Sequence, residues 1–262
     1  MTEPTREASD VLIKHWQSGT TLHALPESLR PAETADGYKI QEHILRLTKE
    51  PLFGWKIAAT SAAGQHHINV NRPLAGRILQ ERVTKHGNPV PLGPNRMQVA
   101  ELEFVFRMGK TLAPRPPPYQ TEEVMAAVDG LFLGVEVPDS RYEDFTTVGA
   151  AQLIADNACA DRFVLGPEVT ADWRNMDLPA HIVKGWKGDG VGKVEGSGAA
   201  VLGDPAIALT WLTNELSGHG MELGAGQFVT TGTCIIPIPV LPGDVVVGDY
   251  GDFGSVQLPF TE

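Results

Sequence analysis

Apolar side chains recur at helical spacing in two segments near the start of the chain, Glu7 to Gln17 and Ala35 to Leu47. Each segment places its apolar residues on one face of a helix, so we predict two amphipathic helices there. A third helix is predicted where Asp204 is followed by Pro205, because an acidic cap with proline at the first helical position is typical of a helix N-terminus. A shorter helix is predicted to begin at Thr121.

After Pro51 the pattern changes to short apolar runs separated by Gly, Pro, Asn and Asp, which is typical of strands joined by turns. The predicted strands are Leu52 to Ala58, Val99 to Phe106, Leu131 to Val137, Arg162 to Leu165, Ala180 to Val183, Gln227 to Thr230, Asp244 to Val247 and Ser255 to Leu258. Strands and helices do not alternate regularly, which argues against a doubly wound sheet or a TIM barrel. We therefore predict an α+β fold, with an N-terminal helical segment over residues 1–50 and a mainly β catalytic body over residues 51–262.

Composition narrows the possible functions. With 42% hydrophobic and 20% charged residues, the chain is typical of a folded globular protein. Its formal net charge of -11 disfavours nucleic acids and anionic membranes as partners, because both are bound largely through positive charge. The N-terminus lacks the apolar run of a signal peptide, and the most apolar later stretch, residues 234–240, is short and interrupted by prolines. We predict a cytoplasmic protein that acts on a small molecule.

Several familiar site motifs are excluded. Cys159 and Cys234 cannot make a disulfide framework or, without a Cys/His cluster, a zinc site, so we predict two buried thiols. The glycine-rich residues 184–193 do not match a phosphate-binding loop and predict the turn of a β-hairpin. Residues 196–198 are not a nucleophile elbow, because Glu195 replaces the required glycine. Any metal chemistry must therefore use carboxylates.

Two glutamates alternate with apolar residues in the predicted strand Val99 to Phe106. Strand geometry points Glu101 and Glu103 to the same face, about 6 to 7 Å apart along the chain. Neighbouring carboxylates repel one another, and a divalent cation removes that repulsion. The alternative is an exposed strand face that carries two solvated glutamates.

A third acid, Glu136, lies within the apolar run Leu131 to Val137. A buried carboxylate needs a cation or a strong set of hydrogen-bond donors. Together with the other two glutamates, it offers the oxygen ligands that Mg²⁺ or Mn²⁺ prefers. The alternative is a plain salt bridge in which Arg141 pairs with Glu136 or Asp139.

A lysine, Lys56, lies in the apolar run Leu52 to Ala58. Its ammonium group is costly to bury unless it meets a carboxylate or an anionic ligand, so Lys56 is a candidate base or electrostatic anchor. The alternative is a lysine whose ammonium group reaches solvent from an edge strand.

These residues lie within a series of short motifs that occur in a fixed order. The motifs are Gly54-Trp55-Lys56-Ile57 with Thr60-Ser61, Ala100-Glu101-Leu102-Glu103-Phe104, residues 135–141, residues 154–158 and, towards the C-terminus, Gly203-Asp204-Pro205, Thr231-Gly232-Thr233 and Pro242-Gly243-Asp244. The series resembles the 2-keto-4-pentenoate hydratase family, which with the related 4-oxalocrotonate decarboxylases belongs to the fumarylacetoacetate hydrolase superfamily. Each motif is weak alone, but several in the same order are specific.

The resemblance implies a mixed β-roll fold, a homo-oligomer, and Mg²⁺ or Mn²⁺ bound by Glu101, Glu103 and Glu136. It also implies a 2-oxo acid or its dienol as substrate, in the degradation of aromatic compounds. In the implied reaction, the ion chelates the 1-carboxylate and 2-oxygen of 2-hydroxypenta-2,4-dienoate and stabilises the enolate formed on ketonisation. Water then adds to give 4-hydroxy-2-oxopentanoate, with Lys56 as the expected proton shuttle or charge partner.

The same resemblance suggests roles for other residues. Groups around Gly232 and Thr233 are candidates to hold a substrate carboxylate, with a simple tight turn as the alternative. Asp156 and Asn157 are candidates to orient metal-bound water or a ligand glutamate, with an Asx turn as the alternative. Arg77 is a candidate substrate-binding residue.

Two departures from the family pattern concern the reaction type. Family hydratases often carry Asp-Phe-Gly after the early lysine segment, whereas residues 73–77 read Pro-Leu-Ala-Gly-Arg and lack the acid. His66 or His67 is a candidate replacement, with exposed helix residues as the alternative. Residues 139–145 resemble the decarboxylase version of that stretch more closely.

We therefore predict a hydratase, with decarboxylation of a 2-oxo-3-enedioate as the alternative reaction at the same site. A third hypothesis is a non-catalytic subunit that forms a complex with another enzyme of the pathway. The retained Lys56 and the three glutamates argue against it, because a scaffold has no need of them. If the substrate has a second carboxylate, Arg72, Arg77 and Arg141 are the candidates to bind it.

Overall fold

The structure is a computed structural model that describes residues 3–188 and 190–262. The α-helices in these ranges are α1 (Pro4–Ser18), α2 (Thr34–Glu42), α3 (Ala62–His67), α4 (Thr121–Met125), α5 (Ala150–Ala155) and α6 (Pro205–Gly218). The strands in the same ranges are β1 (Gly54–Ala58), β2 (Leu74–Ile78), β3 (Val83–Lys85), β4 (Val90–Pro91), β5 (Val99–Met108), β6 (Val128–Val137), β7 (Arg162–Glu168), β8 (Ile182–Lys187), β9 (Val191–Ser197), β10 (Phe228–Thr233), β11 (Ile238–Pro239), β12 (Val245–Asp249) and β13 (Ser255–Thr261). They form the predicted α+β fold.

All four predicted helices are present. α1 and α2 cover the two N-terminal amphipathic segments, and the second segment continues beyond α2 as a 3₁₀ turn over His43–Leu47. α4 begins at Thr121. α6 follows Asp204, whose carboxylate accepts the N–H of Ala206 at 2.7 Å, and Pro205 is its first residue. These contacts confirm the predicted N-terminus of α6.

Two mixed sheets form the body. The larger sheet has the strand order β2-β1-β10-β5-β6-β7-β3, and β11 pairs with the start of β5. The smaller sheet has the order β4-β13-β12-β8-β9. β1 is parallel to β10 and antiparallel to β2, whereas β5 and β6 are antiparallel. This order brings β1, β10, β5 and β6, which carry the candidate residues, together in the interior of the larger sheet.

Each predicted strand overlaps an observed one, but β2, β3, β4 and β11 were not predicted, and β9 was predicted only through the hairpin turn that precedes it. In β2, Gly76 interrupts the apolar run, and a β-carbon there would lie only 2.3 Å from the carbonyl oxygen of Asn157. The other three have two or three residues, too few for a periodic pattern. β8 and β9 form the predicted hairpin within residues 184–193, of which Asp189 lies outside the described residues.

The N-terminal segment packs directly on the body. Gln41 of α2 donates hydrogen bonds to the carbonyl oxygens of Ala75 and Ile154, at 2.8 and 2.9 Å. Tyr38 of the same helix belongs to the main apolar core. The division at residue 50 stays a prediction.

The interior confirms two further expectations. Leu102, Phe104 and Phe106 of β5 are fully buried in the main core, so the predicted alternation along this strand is correct. Cys159 and Cys234 are free, buried thiols. In the part of the chain that the structure describes, none of the helices has the length and apolar character needed to cross a bilayer.

Candidate active site

Three glutamates from two neighbouring strands meet in the larger sheet. Glu101 of β5 is directly opposite Glu136 of β6 in the antiparallel register, and Glu103 follows two residues later on the same face of β5. One carboxylate oxygen of each residue lies within 4.8 Å of the other two. The structure thus brings together the three carboxylates that the sequence singled out.

Burial changes the protonation of these carboxylates. Glu103 is 0% exposed and Glu136 is 2% exposed, so the alternative of a solvated strand face is wrong. Glu101 is half-buried. Burial and repulsion by the Glu136 carboxylate raise the pKa of Glu101 to about 7. The same two causes raise the pKa of Glu103 well above its ordinary value. Positive charge is therefore needed for all three carboxylates to ionise together.

Lys56 supplies one positive charge. Its Nζ lies 3.0 Å from Oε1 of Glu136 and donates a hydrogen bond to the carbonyl oxygen of Ala158 at 3.0 Å. β1 lies between β2 and β10 and the side chain is 3% exposed, so the alternative of a lysine reaching solvent from an edge strand is wrong. Burial alone would lower the pKa of Lys56, but the Glu136 and Glu101 carboxylates raise it above its ordinary value.

Two carboxylate oxygens in the cluster need a further partner. Oε1 of Glu103 and Oε2 of Glu136 are buried and have no hydrogen-bond partner among residues 3–188 and 190–262. Leaving such atoms without a partner is costly. When all groups are ionised, the three negative charges of the carboxylates and the single positive charge of Lys56 also leave a net charge of -2. A divalent cation that prefers oxygen ligands satisfies both requirements, so the donor set fits such an ion.

β10 orients Glu103 from the neighbouring strand. The Thr230 hydroxyl and the Gly232 N–H both donate to Oε2 of Glu103, the second at 2.7 Å. The Gly232 N–H was a candidate to hold a substrate carboxylate, but in the structure it already donates to Glu103. The cause is an irregularity in the β10–β5 register between Thr230 and Thr233. Thr230 was not singled out, although it lies only two residues before Gly232 in the same strand.

Replacing Gly232 by Ala is expected to disturb this orientation. The residue has a φ of +109°, which L side chains rarely adopt, and a β-carbon would lie 2.1 Å from Oγ1 of Thr60. We expect the affinity for Mg²⁺ to fall about 10- to 100-fold, as for other groups that orient metal ligands, measured by isothermal titration calorimetry. Gly218→Ala is the matched control, because a β-carbon there meets nothing within 4 Å. Equal affinities of the two variants would contradict the role of Gly232.

Arg141 forms an ion pair with Asp156, whereas Glu136 forms its ion pair with Lys56. The Nε of Arg141 donates to Oδ1 of Asp156, and the hydroxyl of Ser140 donates to Oδ2 at 2.8 Å. The alternative of a salt bridge between Arg141 and Glu136 or Asp139 is therefore wrong, although Arg141 does donate to the backbone carbonyl of Asp139. Burial raises the pKa of Asp156 against the opposing effect of Arg141. A role for Asp156 in orienting a glutamate stays a prediction.

A left-handed turn connects this pair to the site. Asn157, Ala158 and Cys159 have φ values of 55°, 48° and 61°, a conformation that costs free energy and is found mainly where the surroundings fix it. The Asn157 amide accepts from the backbone N–H of Arg77 at 2.7 Å and donates to its carbonyl at 2.8 Å. These bonds span the fold and are not those of an Asx turn. The turn presents the Ala158 carbonyl to Lys56.

A cavity of about 460 Å³ adjoins the carboxylates. Lys56, Glu101 and Thr233 belong to its wall, so the cluster and the cavity form one site. His67 also lines it, while both His66 and His67 are exposed residues of α3. Other lining residues, among them Met97, Phe145 and Ile236, were not singled out. Met97 and Ile236 lie outside the family motifs, whereas Phe145 is the last residue of the stretch 139–145 that resembles the decarboxylases.

Arg77 is absent from the described wall of this cavity. In the β1–β2 register it is opposite Trp55, whereas Lys56 is opposite Gly76. Because successive side chains of a strand alternate between faces, Arg77 points away from the face of Lys56. Its guanidinium lies 4.7 Å from the centre of the Trp55 ring and donates to Gln41. Burial lowers the pKa of Arg77 to about 10. A substrate contact by Arg77 is therefore not supported.

Comparison with known proteins places this site in a family. The fumarylacetoacetate (FAA) hydrolase C-terminal family profile matches residues 58–261. A 4-oxalocrotonate decarboxylase of Pseudomonas sp. (strain CF600) is 33% identical over 98% of this chain and 98% of its own length. A 2-hydroxyhexa-2,4-dienoate hydratase of Comamonas testosteroni is 31% identical over 96% of this chain and 95% of its own length.

Among solved structures, 4-oxalocrotonate decarboxylase from Pseudomonas putida G7, complexed with magnesium and adipate, has a TM-score of 0.88 and 28% sequence identity. The similarity covers 99% of this chain and 98% of that one. The predicted fold class and the predicted resemblance to hydratases and decarboxylases are both confirmed. The chain therefore belongs to the fumarylacetoacetate hydrolase family.

Proposed function

We propose that the protein is a divalent-metal-dependent lyase that hydrates 2-hydroxypenta-2,4-dienoate to 4-hydroxy-2-oxopentanoate. The observation that carries the proposal is the cluster of Glu101, Glu103 and Glu136, whose carboxylate oxygens lie within 4.8 Å of one another, with Lys56 beside Glu136. Glu101 and Lys56 open this cluster to a cavity of about 460 Å³. The hydratase of Comamonas testosteroni, which is 31% identical over almost the whole chain, supports the reaction class.

The three glutamates would hold Mg²⁺ or Mn²⁺ through carboxylate oxygens, the ligands that both ions prefer. The magnesium in the decarboxylase from Pseudomonas putida G7 supports this choice of ion. When bound, such an ion supplies a Lewis acid for the negative charge that develops at the 2-oxygen of the substrate. Thr230 and Gly232 hold Glu103 in place, so this ligand is oriented before any ion arrives.

Lys56 holds a proton at Nζ, close to where substrate charge changes. Its contacts with Glu136 and the Ala158 carbonyl fix the ammonium group in the cavity wall. From there it is placed to attract the carboxylate of a 2-oxo acid and to pass a proton to or from a carbon of the dienol.

Decarboxylation is the second candidate, and a specific observation favours it. The decarboxylase of Pseudomonas sp. (strain CF600) is 33% identical, and the similar solved structure is also a decarboxylase. The same charge stabilisation at the 2-oxygen would serve loss of CO₂ from a 2-oxo-3-enedioate. A subunit that is active only with a partner enzyme is the third candidate.

The decisive experiment follows the purified protein with Mg²⁺ and enzymatically generated 2-hydroxypenta-2,4-dienoate. We expect loss of the dienol absorbance with formation of 4-hydroxy-2-oxopentanoate, and loss of the reaction after treatment with EDTA. A double variant, Glu101→Ala with Glu103→Ala, is expected to be inactive. CO₂ release from 4-oxalocrotonate without hydration would favour decarboxylation, and activity only on mixing with a partner enzyme would favour the third candidate.

We also propose a homo-oligomer located in the cytoplasm, acting in the degradation of aromatic compounds. Exposed apolar side chains outside the cavity wall, Ile207 and Leu241 at 48% and 55% exposure, support an interface between subunits. Analytical ultracentrifugation of the purified chain measures the number of subunits, and a single monomeric species would contradict the oligomer.

A further inference from the structure

The cavity wall beyond the carboxylate cluster is almost free of cationic groups. Among the described residues that line it, Lys56 is the single lysine or arginine, and its ammonium group is already engaged by Glu136 and the Ala158 carbonyl. His67 is the other basic residue; it is exposed, and its ring packs edge-on against Phe145 at 5.9 Å. Among the described residues, the wall thus offers no further lysine or arginine to pair with a second carboxylate.

The arginines that the sequence offered for a second carboxylate have other partners. Arg72 pairs with Glu215, Arg77 donates to Gln41, and Arg141 pairs with Asp156. None of the three belongs to the described wall of the cavity. A substrate with a second carboxylate would therefore have to leave it without an ionic partner in this subunit, at a large cost in free energy.

The wall instead offers apolar surface next to the carboxylate cluster. Ile68, Met97 and Phe145 are half-buried, and Ile236 is 73% exposed, although all four line the cavity. Exposed apolar side chains grouped around a cavity are typical of a binding site for an apolar group. Covering them with carbon atoms removes apolar area from water and favours binding.

The cavity is also larger than a five-carbon acid requires. Its volume of about 460 Å³ corresponds to roughly fifteen water molecules at about 30 Å³ each. The eight non-hydrogen atoms of 2-hydroxypenta-2,4-dienoate are covalently bonded and need less than about 30 Å³ each, so they fill at most about half of that space. Space for several more carbon atoms remains next to the apolar residues.

We infer that the preferred substrate is a homologue of 2-hydroxypenta-2,4-dienoate with an uncharged, apolar substituent at C5 and a total of about six to eight carbons, and not one with a second carboxylate. This inference rests on the proposed function for the placement of the 2-oxo acid at the glutamates and Lys56. It identifies Ile68, Phe145 and Ile236 as residues that determine specificity for the tail of the substrate. It also disfavours 4-oxalocrotonate, which is a dicarboxylate, as the preferred substrate.

Binding of saturated 2-oxo acids tests the inference without turnover, because these compounds lack the conjugated double bond. Isothermal titration calorimetry of the Mg²⁺-loaded protein would compare 2-oxopentanoate, 2-oxooctanoate and 2-oxooctanedioate. We expect 2-oxooctanoate to bind at least tenfold more tightly than 2-oxopentanoate, since a fully buried CH₂ group contributes about fourfold. We expect 2-oxooctanedioate to bind about 100-fold more weakly than 2-oxooctanoate. Equal or tighter binding of the dicarboxylate, no gain with chain length, or no binding at all would overturn the inference.

A positive charge placed in the cavity wall gives a second, more specific test. Ile236→Lys adds a cation at an exposed position and is expected to reduce the preference for 2-oxooctanoate over 2-oxooctanedioate at least tenfold. Ile68→Lys is a second variant for the same measurement. Ile182→Lys, at an exposed position on β8 outside the described wall, is the matched control and is expected to leave the preference unchanged. An unchanged preference in both cavity variants would contradict the assignment of these residues.

Measurements of turnover distinguish a failure of this inference from a failure of the proposed function. If the binding order holds but no 2-hydroxydienoate is hydrated, the proposed reaction fails and the substrate class stands. If dienols are hydrated but 2-hydroxyhepta-2,4-dienedioate is preferred over 2-hydroxyhexa-2,4-dienoate, the proposed reaction stands and the substrate class is overturned.

Discussion

Replacing Glu101 by Gln is expected to weaken Mg²⁺ binding strongly and to lower kcat/KM about 10²- to 10³-fold. The substitution keeps the shape of the side chain but removes one of the three negative charges that an ion would neutralise. A bound cation contributes several kcal/mol of transition-state stabilisation, which corresponds to this loss of rate. Glu101 is half-buried, so its replacement disturbs the core less than replacement of the fully buried Glu103.

Two measurements check this expectation. Calorimetric titration with Mg²⁺ gives the change in affinity directly, and thermal unfolding with and without Mg²⁺ gives an independent readout. An ion at 100 times its Kd is expected to stabilise the wild-type fold by about 2.7 kcal/mol, and the variant much less. Glu195→Gln is the matched control, because Glu195 is exposed and pairs with Lys184 on β8. A variant that binds Mg²⁺ like the wild type would contradict the assignment of Glu101.

Replacing Lys56 by Met is expected to lower kcat about 10²- to 10⁴-fold, the usual contribution of a group that transfers or holds a proton. The substitution also removes the cation that lies 3.0 Å from Oε1 of Glu136. Both side chains are almost fully buried, so the remaining carboxylate loses its ion-pair partner. Breaking a buried pair in this way costs about 3 to 5 kcal/mol, so we expect the Tm of the metal-free protein to fall by roughly 10 °C.

The two effects of Lys56→Met can be separated. Saturating Mg²⁺ is expected to recover part of the lost stability, because the ion also neutralises Glu136, but not the lost kcat. Lys184→Met is the matched control, since its partner Glu195 and Lys184 itself are both largely exposed, and exposed pairs contribute about 1 kcal/mol or less. A Lys56→Met enzyme with wild-type kcat at saturating Mg²⁺ would contradict a chemical role for this residue.

Local sequence was sufficient to predict several elements of the fold and several chemical groups of the site. Alternation along β5 determined that Glu101 and Glu103 share a face opposite Phe104, because side chains of a strand alternate with period two. The cap formed by Asp204 and Pro205 determined where α6 begins, since these contacts involve neighbouring residues only. The resemblance carried by a few short motifs was sufficient to predict the family.

Tertiary structure decided which of these groups meet. The β5–β6 register places Glu136 opposite Glu101, and the packing of β1 beside β10 gives Lys56 its carboxylate partner. The face of Arg77 is set by the pairing of β2 with β1, and β2 was not predicted, so the sequence could not place this residue relative to the cavity.

Tertiary structure also decided which group accepts the Gly232 N–H and which residues line the cavity, since both depend on contacts between distant segments of the chain. Such contacts depend on strand register and on how connections pack, which are set by the burial of the whole core. The sequence by itself therefore determined the chemical groups and the faces of the elements that carry them. Only the folded chain determined their partners and the apolar cavity beside them.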